Sequence, residues 1–492
     1  MSARSELSTL EASGLIEIAA LEPDLEYLFR HALVQEAAYA TLLKKDRQAL
    51  HRAAAEAILA LHPGRERELA GVVAMHLEQA GDAALAAKYF VTAGEHALER
   101  FANTEAIAFF ERAVKLGDPS DVDLRLRAAI GAAKADWYNG PGSGLEVLER
   151  TVAESDRADP RLVAEACFWT AFLRRQRGET PESSPALKAA LDRVAQIGEA
   201  LKDPATAALP RALMGGFDAF AGNLRRGAAE MAEALKLIEG QGDRISTAMI
   251  SDFLVMTYAR LGEFDAAEQT LARARDLALS SDEISRLDTD IARAAIDVER
   301  GDLTGASEQS LACARRAEDL GAYACVVAAT VVYGTASLSL KSPGAAAPSL
   351  ERGRDLANLV NMGPMQTLIH GFLGRARADL GDLPGGVAEW DVALARAAAT
   401  NDRYGEAKTL WSRARAVASQ PAPDWSASLR DIDRALDLFE DMEAKPSVAR
   451  VLHDRADALR ALGRTQDAEA AEHRSGQLAA ELGLRDLAPA GS

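Results

Sequence analysis

A pair of small residues seven positions apart recurs ten times along the chain, and this repeat limits the possible folds more than any other feature. The second members of successive pairs are 38 to 44 residues apart. The pairs are Ala106/Ala113, Gly144/Thr151, Ser183/Ala190, Gly227/Ala234, Ala267/Ala274, Ala306/Cys313, Ala346/Gly353, Gly386/Ala393, Ser428/Ala435 and Ala468/Ser475. A period of this length predicts an array of helical units, each packed on its neighbours.

The spacing within each pair has a physical reason. Seven residues are about two turns of helix, so both members lie on one face, where a second helix can approach closely. Leu254, Tyr258, Gly262, Ala267 and Ala274 form the clearest unit, and their pattern resembles a tetratricopeptide repeat (TPR). Armadillo and HEAT repeats share the period, although their units lack the paired alanines of the second helix. The sequence therefore predicts an all-α, TPR-like α-solenoid, a superhelix of about ten helical hairpins.

The N-terminal residues follow a different pattern. A short helix should end at Gly14, followed by two strands, at residues 15–18 and 26–29, around the turn Glu22-Pro23-Asp24. From Ala32 the apolar residues recur at threes and fours, which indicates a helix. Helix, β-hairpin and helix in this order predict a small winged-helix remnant ahead of the solenoid.

Residues 28–39, Leu-Phe-Arg-His-Ala-Leu-Val-Gln-Glu-Ala-Ala-Tyr, are followed by a basic helix with Lys44, Lys45 and Arg47. From Ser5 to about residue 116 the chain resembles the close of the regulatory NTPase core of bacterial STAND proteins, which are signal-transducing ATPases of the NB-ARC and AAA type. They occur fused to class III nucleotide cyclase or LuxR-type DNA-binding domains, with a helical-repeat sensor downstream.

The resemblance implies a nucleotide-sensing role for His31, with Arg30 beside it at the strand–helix junction. In that family a histidine at this position reaches the β-phosphate of bound ADP and holds the off state. An imidazole can donate a hydrogen bond to a phosphate near neutral pH. The alternative is that His31 caps the following helix.

The catalytic half of such a regulator is missing from these residues. No GxxxxGK[ST] motif occurs, so the backbone cradle for phosphates and its lysine are absent. HExxH, CxxC and GxSxG motifs are absent as well. We therefore expect no enzyme activity, no metal and no cofactor in this chain, with ATP or ADP acting only through a separate core. A gene fragment, a split gene and a sensor retained alone all fit.

The amino-acid composition limits which binding partners and which cell compartment we expect. The formal net charge of −18 argues against direct binding of nucleic acid or an anionic membrane. The three cysteines lie in alanine-rich helical patterns, which favours small buried residues in a reducing compartment. An apolar signal sequence and a membrane-spanning run are both missing. The expected location is the cytoplasm.

The predicted organisation has four parts: residues 1–62 as the winged-helix remnant and its following helix, 63–82 as a connecting helix, 83–482 as the solenoid, and 483–492 as a frayed tail. The TPR pattern places five partner-binding candidates on the concave wall. They are Phe172, Arg175, Met256, Arg260 and Arg375. Guanidinium groups beside apolar or flexible residues would suit an acidic partner, whereas the alternative has the arginines pairing only with acids on adjacent helices.

The predicted function is that of a sensor or interaction module in a signal-transducing regulator. A protein segment or a small effector would bind the concave face, and the signal would pass to a nucleotide-binding core, or to a cyclase or transcription regulator, outside this chain. Two alternatives stay open: a free-standing TPR adaptor, and a fragment of a multidomain ATPase, nucleotide cyclase or transcriptional regulator.

Overall fold

The structure is a computed structural model that describes residues 3–20, 26–139, 144–239, 244–277 and 283–487. Helices make up nearly all of it. The N-terminal elements are α1 (Ala3–Ala12), β1 (Ile16–Ala20), β2 (Glu26–Phe29), α2 (Ala32–Thr41), α3 (Lys44–Leu61) and α4 (Ala70–Gln79). The repeat helices are α5 (Ala83–Glu99), α6 (Asn103–Leu116), α7 (Val122–Asn139), α8 (Gly144–Ala153), α9 (Pro160–Gln176), α10 (Pro185–Leu201), α11 (Pro204–Phe220), α12 (Leu224–Ile238), α13 (Arg244–Leu261), α14 (Phe264–Leu277), α15 (Glu283–Arg300), α16 (Leu303–Asp319), α17 (Tyr323–Ser339), α18 (Pro343–Leu359), α19 (Gly363–Asp379), α20 (Leu383–Thr400), α21 (Arg403–Ala418), α22 (Trp425–Asp441), α23 (Lys445–Ala461) and α24 (Thr465–Leu482).

The N-terminal segment is a helix, a β-hairpin and a helix, in the order that the sequence predicts. β1 and β2 pair antiparallel, with Ile16 opposite Phe29 and Ile18 opposite Tyr27. Gly14, which follows α1, has a φ of +74°, a conformation that glycine adopts without the penalty of a side chain. The predicted turn at residues 22–24 lies outside the described residues.

The helices α5 to α24 form ten consecutive hairpins, here called units 1 to 10, so the predicted all-α, TPR-like solenoid is confirmed. In nine of the ten small-residue pairs both members are buried, as a close helix contact requires. Ser183 is the exception because it is exposed and precedes α10. Its neighbour Ser184 caps that helix and accepts a hydrogen bond from the Leu187 N–H.

Glycines allow the closest helix approach within a unit. A Cβ atom placed on Gly227 of α12 would lie 2.4 Å from the carbonyl oxygen of Gly215 in α11. The same contact recurs in unit 8, where a Cβ on Gly386 would lie 2.7 Å from the Gly374 oxygen. Real Cβ atoms are excluded at such distances from backbone, so glycine is required at both places.

The superhelix closes on itself, which the sequence pattern did not predict. The turn glycines after the first helices of units 3 to 5 each face an atom five units further along the chain, and the turn glycine of unit 6, Gly301, faces Asp486 after the last unit. A Cβ on Gly178 would meet Thr400 of unit 8, one on Gly222 would meet Met442 after the second helix of unit 9, and one on Gly262 would meet Leu482 of unit 10. One superhelical turn therefore takes about five units, and the second turn rests on the first.

Arg450 of α23 forms hydrogen bonds that connect the two turns of the superhelix. Its guanidinium donates to the carbonyl oxygens of Val298 and Glu299, at 3.2 and 3.0 Å, and to the Asp486 carboxylate at 2.6 and 3.0 Å. Leu484 is buried beside it, and the Arg485 N–H donates to the Arg300 oxygen. The expected frayed tail is thus packed against α15 up to residue 487, and only residues 488–492 lie outside the described residues.

The Gly227 contact gives a test of the packing. We expect Gly227→Ala to lower the free energy of unfolding by about 1–3 kcal/mol, because the methyl group forces α11 and α12 apart. Gly476 of α24 is the matched control, since it is exposed and a Cβ there meets nothing within 4 Å. Gly476→Ala should raise the free energy of unfolding by about 0.5–1 kcal/mol through helix propensity. Urea unfolding followed by circular dichroism measures both, and an equal effect at the two sites would contradict the contact.

Candidate ligand-binding site

The inner helices of the superhelix enclose a cavity of about 710 Å³, here called the inner cavity. Seven first helices line it, namely α5, α7, α9, α13, α15, α17 and α19. Residues of α6, of the turn between α5 and α6 and of the turn before α4 complete its wall. Pockets that bind small organic molecules have volumes of roughly 300–1,000 Å³, so this cavity is large enough for such a ligand.

Aromatic side chains of units 2 and 3 form one wall of the inner cavity. Phe172 lies edge-on between two indoles, with ring centroids 4.9 Å from Trp137 and 5.4 Å from Trp169. Tyr138 extends this wall to Phe101, at 4.8 Å. Edge-to-face contacts of this kind hold the rings in fixed orientations, and Trp137 and Tyr138 are the half-buried members of this wall.

Four methionines also line the inner cavity. Met249 and Met256 come from α13, Met362 is the residue before α19, and Met365 lies in the first turn of that helix. Methionine is unbranched and polarisable, so it adapts to the shape of a bound molecule. The cavity therefore combines rigid aromatic side chains with adaptable ones.

Two carboxyl groups reach this apolar space, Asp252 from α13 and Asp288 from α15. The Cys325 thiol of α17 donates a hydrogen bond to Asp288 at 3.2 Å. Burial, together with the nearby Asp288 charge, raises the pKa of Asp252 well above its usual value. Burial and the same carboxylates also raise the pKa of the Cys325 thiol, which keeps it protonated.

Buried polar atoms without a hydrogen-bond partner concentrate at this cavity. Within the described ranges, five of the eleven such side-chain atoms belong to residues that line it: both amide atoms of Asn103, Trp169 Nε1, Gln176 Oε1 and Asp252 Oδ1. Asn103, Trp169 and Gln176 are each at most 4% exposed. Buried polar groups are nearly always paired in folded proteins, so this concentration marks a place where a polar ligand can bind.

The cavity opens next to the N-terminal segment. Arg67, in the turn before α4, pairs with Glu99 at the end of α5 at 2.8 Å, and their side chains are 57% and 46% exposed. Glu95 pairs with Arg127 at 2.7 Å, and Lys134 pairs with Glu165 at 2.8 Å. The charged side chains at this end of the cavity are thus already matched with one another.

The structure places the predicted partner-binding residues in two groups. Phe172 and Met256 line the inner cavity, as described above. Arg175, Arg260 and Arg375 are at most 9% exposed, so they do not form an open basic groove. They lie on the inner side of the first helices, where the Phe217 ring covers Arg175 and the Tyr404 ring of the second turn covers Arg260, and where Arg375 is buried beside Leu338 and Asp379.

Arg175 and Arg375 each interact with other groups of the protein. Arg175 lies 4.1 Å from the Phe217 ring centroid and donates to the Glu179 oxygen. Arg375 donates to the Leu338 oxygen at 2.8 Å and to Asp379 at 3.3 Å. Burial lowers the pKa of both guanidinium groups to about 10, so both remain charged at neutral pH.

Arg260 belongs to a cluster between the two turns of the superhelix. Its guanidinium lies 4.0 Å from the ring centroid of Tyr404 in α21, whose hydroxyl donates to Glu299 at 3.3 Å. Burial raises the pKa of Asp402 to about 6, against the opposing effects of the Gly405 N–H and the Arg260 charge. A small cavity of about 80 Å³ is all that remains beside Arg260, Met256 and Lys408.

Arg375 lines a third cavity, of about 720 Å³, between units 8 and 10. Its wall is polar and includes Asp379, Arg415 and Asp454, together with Leu380, which is 55% exposed. This cavity is a surface cleft with charged walls. Methionine is missing from its lining residues, and Trp425 is the aromatic residue among them.

The N-terminal candidates lie on the surface. His31 is exposed at the first position before α2, and its side chain makes no capping hydrogen bond. Arg30 pairs with Glu17 of β1 at 3.3 Å. Nearby, the Tyr39 hydroxyl contacts His51 Nε2 at 3.0 Å, and His51 Nδ1 contacts His76 Nδ1 at 2.9 Å. This line of polar groups joins α2, α3 and α4.

Other site types find little geometric support. Within the ranges described, no three or more His, Cys, Asp or Glu side chains are grouped so that they could hold a metal ion. The helices of those ranges are also too short or too polar to span a bilayer. All three cysteines are buried free thiols, and burial raises the pKa of Cys167 and Cys313 to about 11.

These features define the chain as a TPR-like helical-repeat protein with an internal cavity. No family model matches the sequence. An uncharacterized protein of Rhizobium meliloti is 35% identical over 121 residues, which are 23% of this chain and 11% of that protein. Two solved structures are similar at 13% identity. One is a Rap protein complexed with competence and sporulation factor, with a TM-score of 0.46; the match covers 81% of this chain and 98% of that chain. The other is the APC/C hetero-tetramer Cut9–Hcn1, with a TM-score of 0.48; the match covers 92% of this chain and 90% of that chain.

The buried position of Arg260 gives a second test. We expect Arg260→Glu to destabilise the protein by about 3 kcal/mol or more, because it removes the cation stacked on Tyr404 and places a carboxylate near Asp402. Arg315→Glu is the control, since it makes the same charge change on the exposed surface of α16 and should shift stability by no more than about 0.5 kcal/mol. Thermal melting compares them. Equal melting would mean that the Arg260 guanidinium is available to a partner after all.

Proposed function

We propose that this chain is a sensor module that binds a small effector inside its superhelix. The inner cavity carries this proposal, since it combines a suitable volume, apolar walls and unpartnered polar atoms. The second turn of the superhelix lies against the first and leaves a cavity of small-molecule size, which favours a small molecule over an extended protein segment. The Phe172 and Met256 side chains would contact the effector.

The same proposal gives the N-terminal segment the role of an output surface. The mouth of the cavity is formed by α5 and the turn before α4, and the Tyr39–His51–His76 contacts connect α4 to α2. α2 has no buried residue, and Leu33 and Leu43 are 78% and 72% exposed. An apolar face of this kind is typical of a surface that binds another domain or protein.

We infer that this partner is a nucleotide-binding core of the STAND type, located outside these residues. The exposed His31 side chain, free of any capping bond, supports contact with a ligand held by such a core. Catalysis would then belong to the core or to an attached cyclase or DNA-binding domain. The chain itself would act as a binding module in the cytoplasm.

Filling the cavity tests the proposed ligand site. Ala328 of α17 lines it, and Ala328→Phe should block binding without unfolding the protein, since the new ring extends into open volume. The neutral apolar dye Nile red is the probe, and its fluorescence should rise with the wild type and fall several-fold with Ala328→Phe. Ala398→Phe, on the exposed face of α20, should leave the dye signal unchanged. Equal signals from all three proteins would overturn the proposal.

Hydrogen–deuterium exchange tests the connection to the N-terminal segment. With Nile red bound, we expect slower amide exchange in residues 70–99, which form the helices at the mouth, because ligand binding suppresses local opening. The Ala328→Phe variant should show no such change, and residues 445–461 of α23 serve as the internal control. Protection confined to the cavity walls, with residues 70–99 unaffected, would contradict the proposed relay.

A further inference from the structure

We propose that the effector of the inner cavity is a small amphipathic organic cation, an amine with an apolar body, whose ammonium group binds at Asp252 and Asp288. This inference rests on the proposed function and deepens it by naming the chemical class of ligand. It follows from the charges that the cavity contains, from those that are already paired, and from the character of the walls.

Asp252 is the critical group. It lies in the middle of α13 and makes no ion pair with a lysine, arginine or histidine in the described part of the chain, and its Oδ1 atom is buried without a hydrogen-bond partner. Its nearest charged influence is a second carboxylate, Asp288. Two acidic groups side by side in an apolar space repel each other when both are ionised. A bound cation would remove that repulsion and would pair with both.

The protein supplies no such cation itself. Two basic side chains line the cavity, Arg67 and Lys134, and each is held by its own acidic partner, Glu99 and Glu165 respectively. The lining acids Glu95 and Glu99 are matched by arginines. Among the lining carboxylates, Asp252 is therefore left for a positive charge that arrives with a ligand.

The walls suit the rest of such a molecule. Trp137 is half-buried, and its aromatic ring can attract a cation through its face and pack against apolar groups, whereas the Lys134 ammonium already lies 5.4 Å from the Trp169 ring centroid. Four methionines in the same lining adapt to an alkyl or aryl body. An anionic ligand would meet two carboxyl groups in this space, and a purely apolar one would leave the Asp252 oxygen unpaired.

The unpartnered amides make a separate contribution. Asn103 and Gln176 are buried and line the same cavity, and in the described residues both amide atoms of Asn103 and the Oε1 atom of Gln176 have no hydrogen-bond partner. They come from units 1 and 3, whereas the carboxyl pair comes from units 5 and 6. A second polar group on the ligand, away from the ammonium, could bind these amides. Their presence distinguishes the cavity from an apolar packing defect, which would not be lined by buried polar groups.

Asp252 has no evident role in holding the fold together. It caps no helix, because α13 begins at Arg244. Its Oδ1 atom is buried without a hydrogen-bond partner. An apolar residue of the same size would cost less to bury at this place. Asp252 is therefore better explained by a ligand than by stability.

Three probes of one shape test the ligand class: 4-phenylbutylamine, 4-phenylbutan-1-ol and 4-phenylbutyrate. Each is titrated against the complex of the full chain with Nile red, and displacement of the dye is measured. A hydrogen bond with a charged partner is roughly twice as strong as one between neutral groups, so we expect the amine to displace the dye at a concentration at least about tenfold lower than the alcohol. The carboxylate should be the weakest of the three.

Substitutions of the two carboxyl groups test whether these groups cause the preference for the amine over the alcohol. Asp252→Asn should reduce amine binding to the level of the alcohol while leaving alcohol binding unchanged, and Asp288→Asn, a second variant, should weaken the amine in the same direction. Asp265→Asn, on the exposed face of α14, is the control and should keep the wild-type preference. Circular dichroism and thermal melting establish that each variant is folded.

The outcomes separate the two proposals. If the three probes displace Nile red equally from the wild type, the cavity binds small molecules but the cation class is wrong. A preference for the amine that survives both Asp252→Asn and Asp288→Asn would place the ammonium elsewhere and would also overturn this assignment. If no probe displaces the dye, and Ala328→Phe leaves dye binding unchanged, the proposed function fails together with the ligand class.

Discussion

The close approach of paired helices at small residues is the contact on which the rest of this structure depends. At Gly215/Gly227 and Gly374/Gly386 the backbones come so near that one methyl group would force them apart. Contacts of this kind fix how each hairpin packs on the next, and the same small rotation repeated ten times produces a superhelix. Because about five units complete a turn, the second turn lies against the first, and the concave face becomes an interior.

The packing of the second turn on the first explains why a cavity forms and why some of the predicted binding residues are buried. Arg175, Arg260 and Arg375 occupy inner positions of their helices, where an open solenoid would expose them to a partner. In the closed superhelix they lie under aromatic rings and carbonyl groups of neighbouring helices. Phe172 and Met256 reach the remaining space instead. The inner wall is therefore polar and packed in one part, and apolar and hollow in another.

Much of this fold could be predicted from the sequence, because helix pairing within a unit is a local property. The spacing of small residues located ten hairpins, with Ser183 as the single misplaced member. The contact between units five apart left no signal in that spacing, so closure, the packed tail and the cavity were missed. Asp252 could have been found, since Met249, Asp252, Met256 and Arg260 recur on one face of α13. A carboxylate on this face of a helix predicts a ligand-binding site.

Arg450 has a consequence for how the whole molecule unfolds. In an open solenoid each unit touches only its neighbours, so the ends can fray while the middle stays folded. Here one guanidinium binds the end of α15, the last hairpin and the C-terminal residues together, across a sequence separation of about 150 positions. Opening the last unit must also uncover the middle of the chain. The array therefore behaves less like a row of independent blocks and more like a globular domain, with slow formation of its long-range contacts and cooperative loss of them.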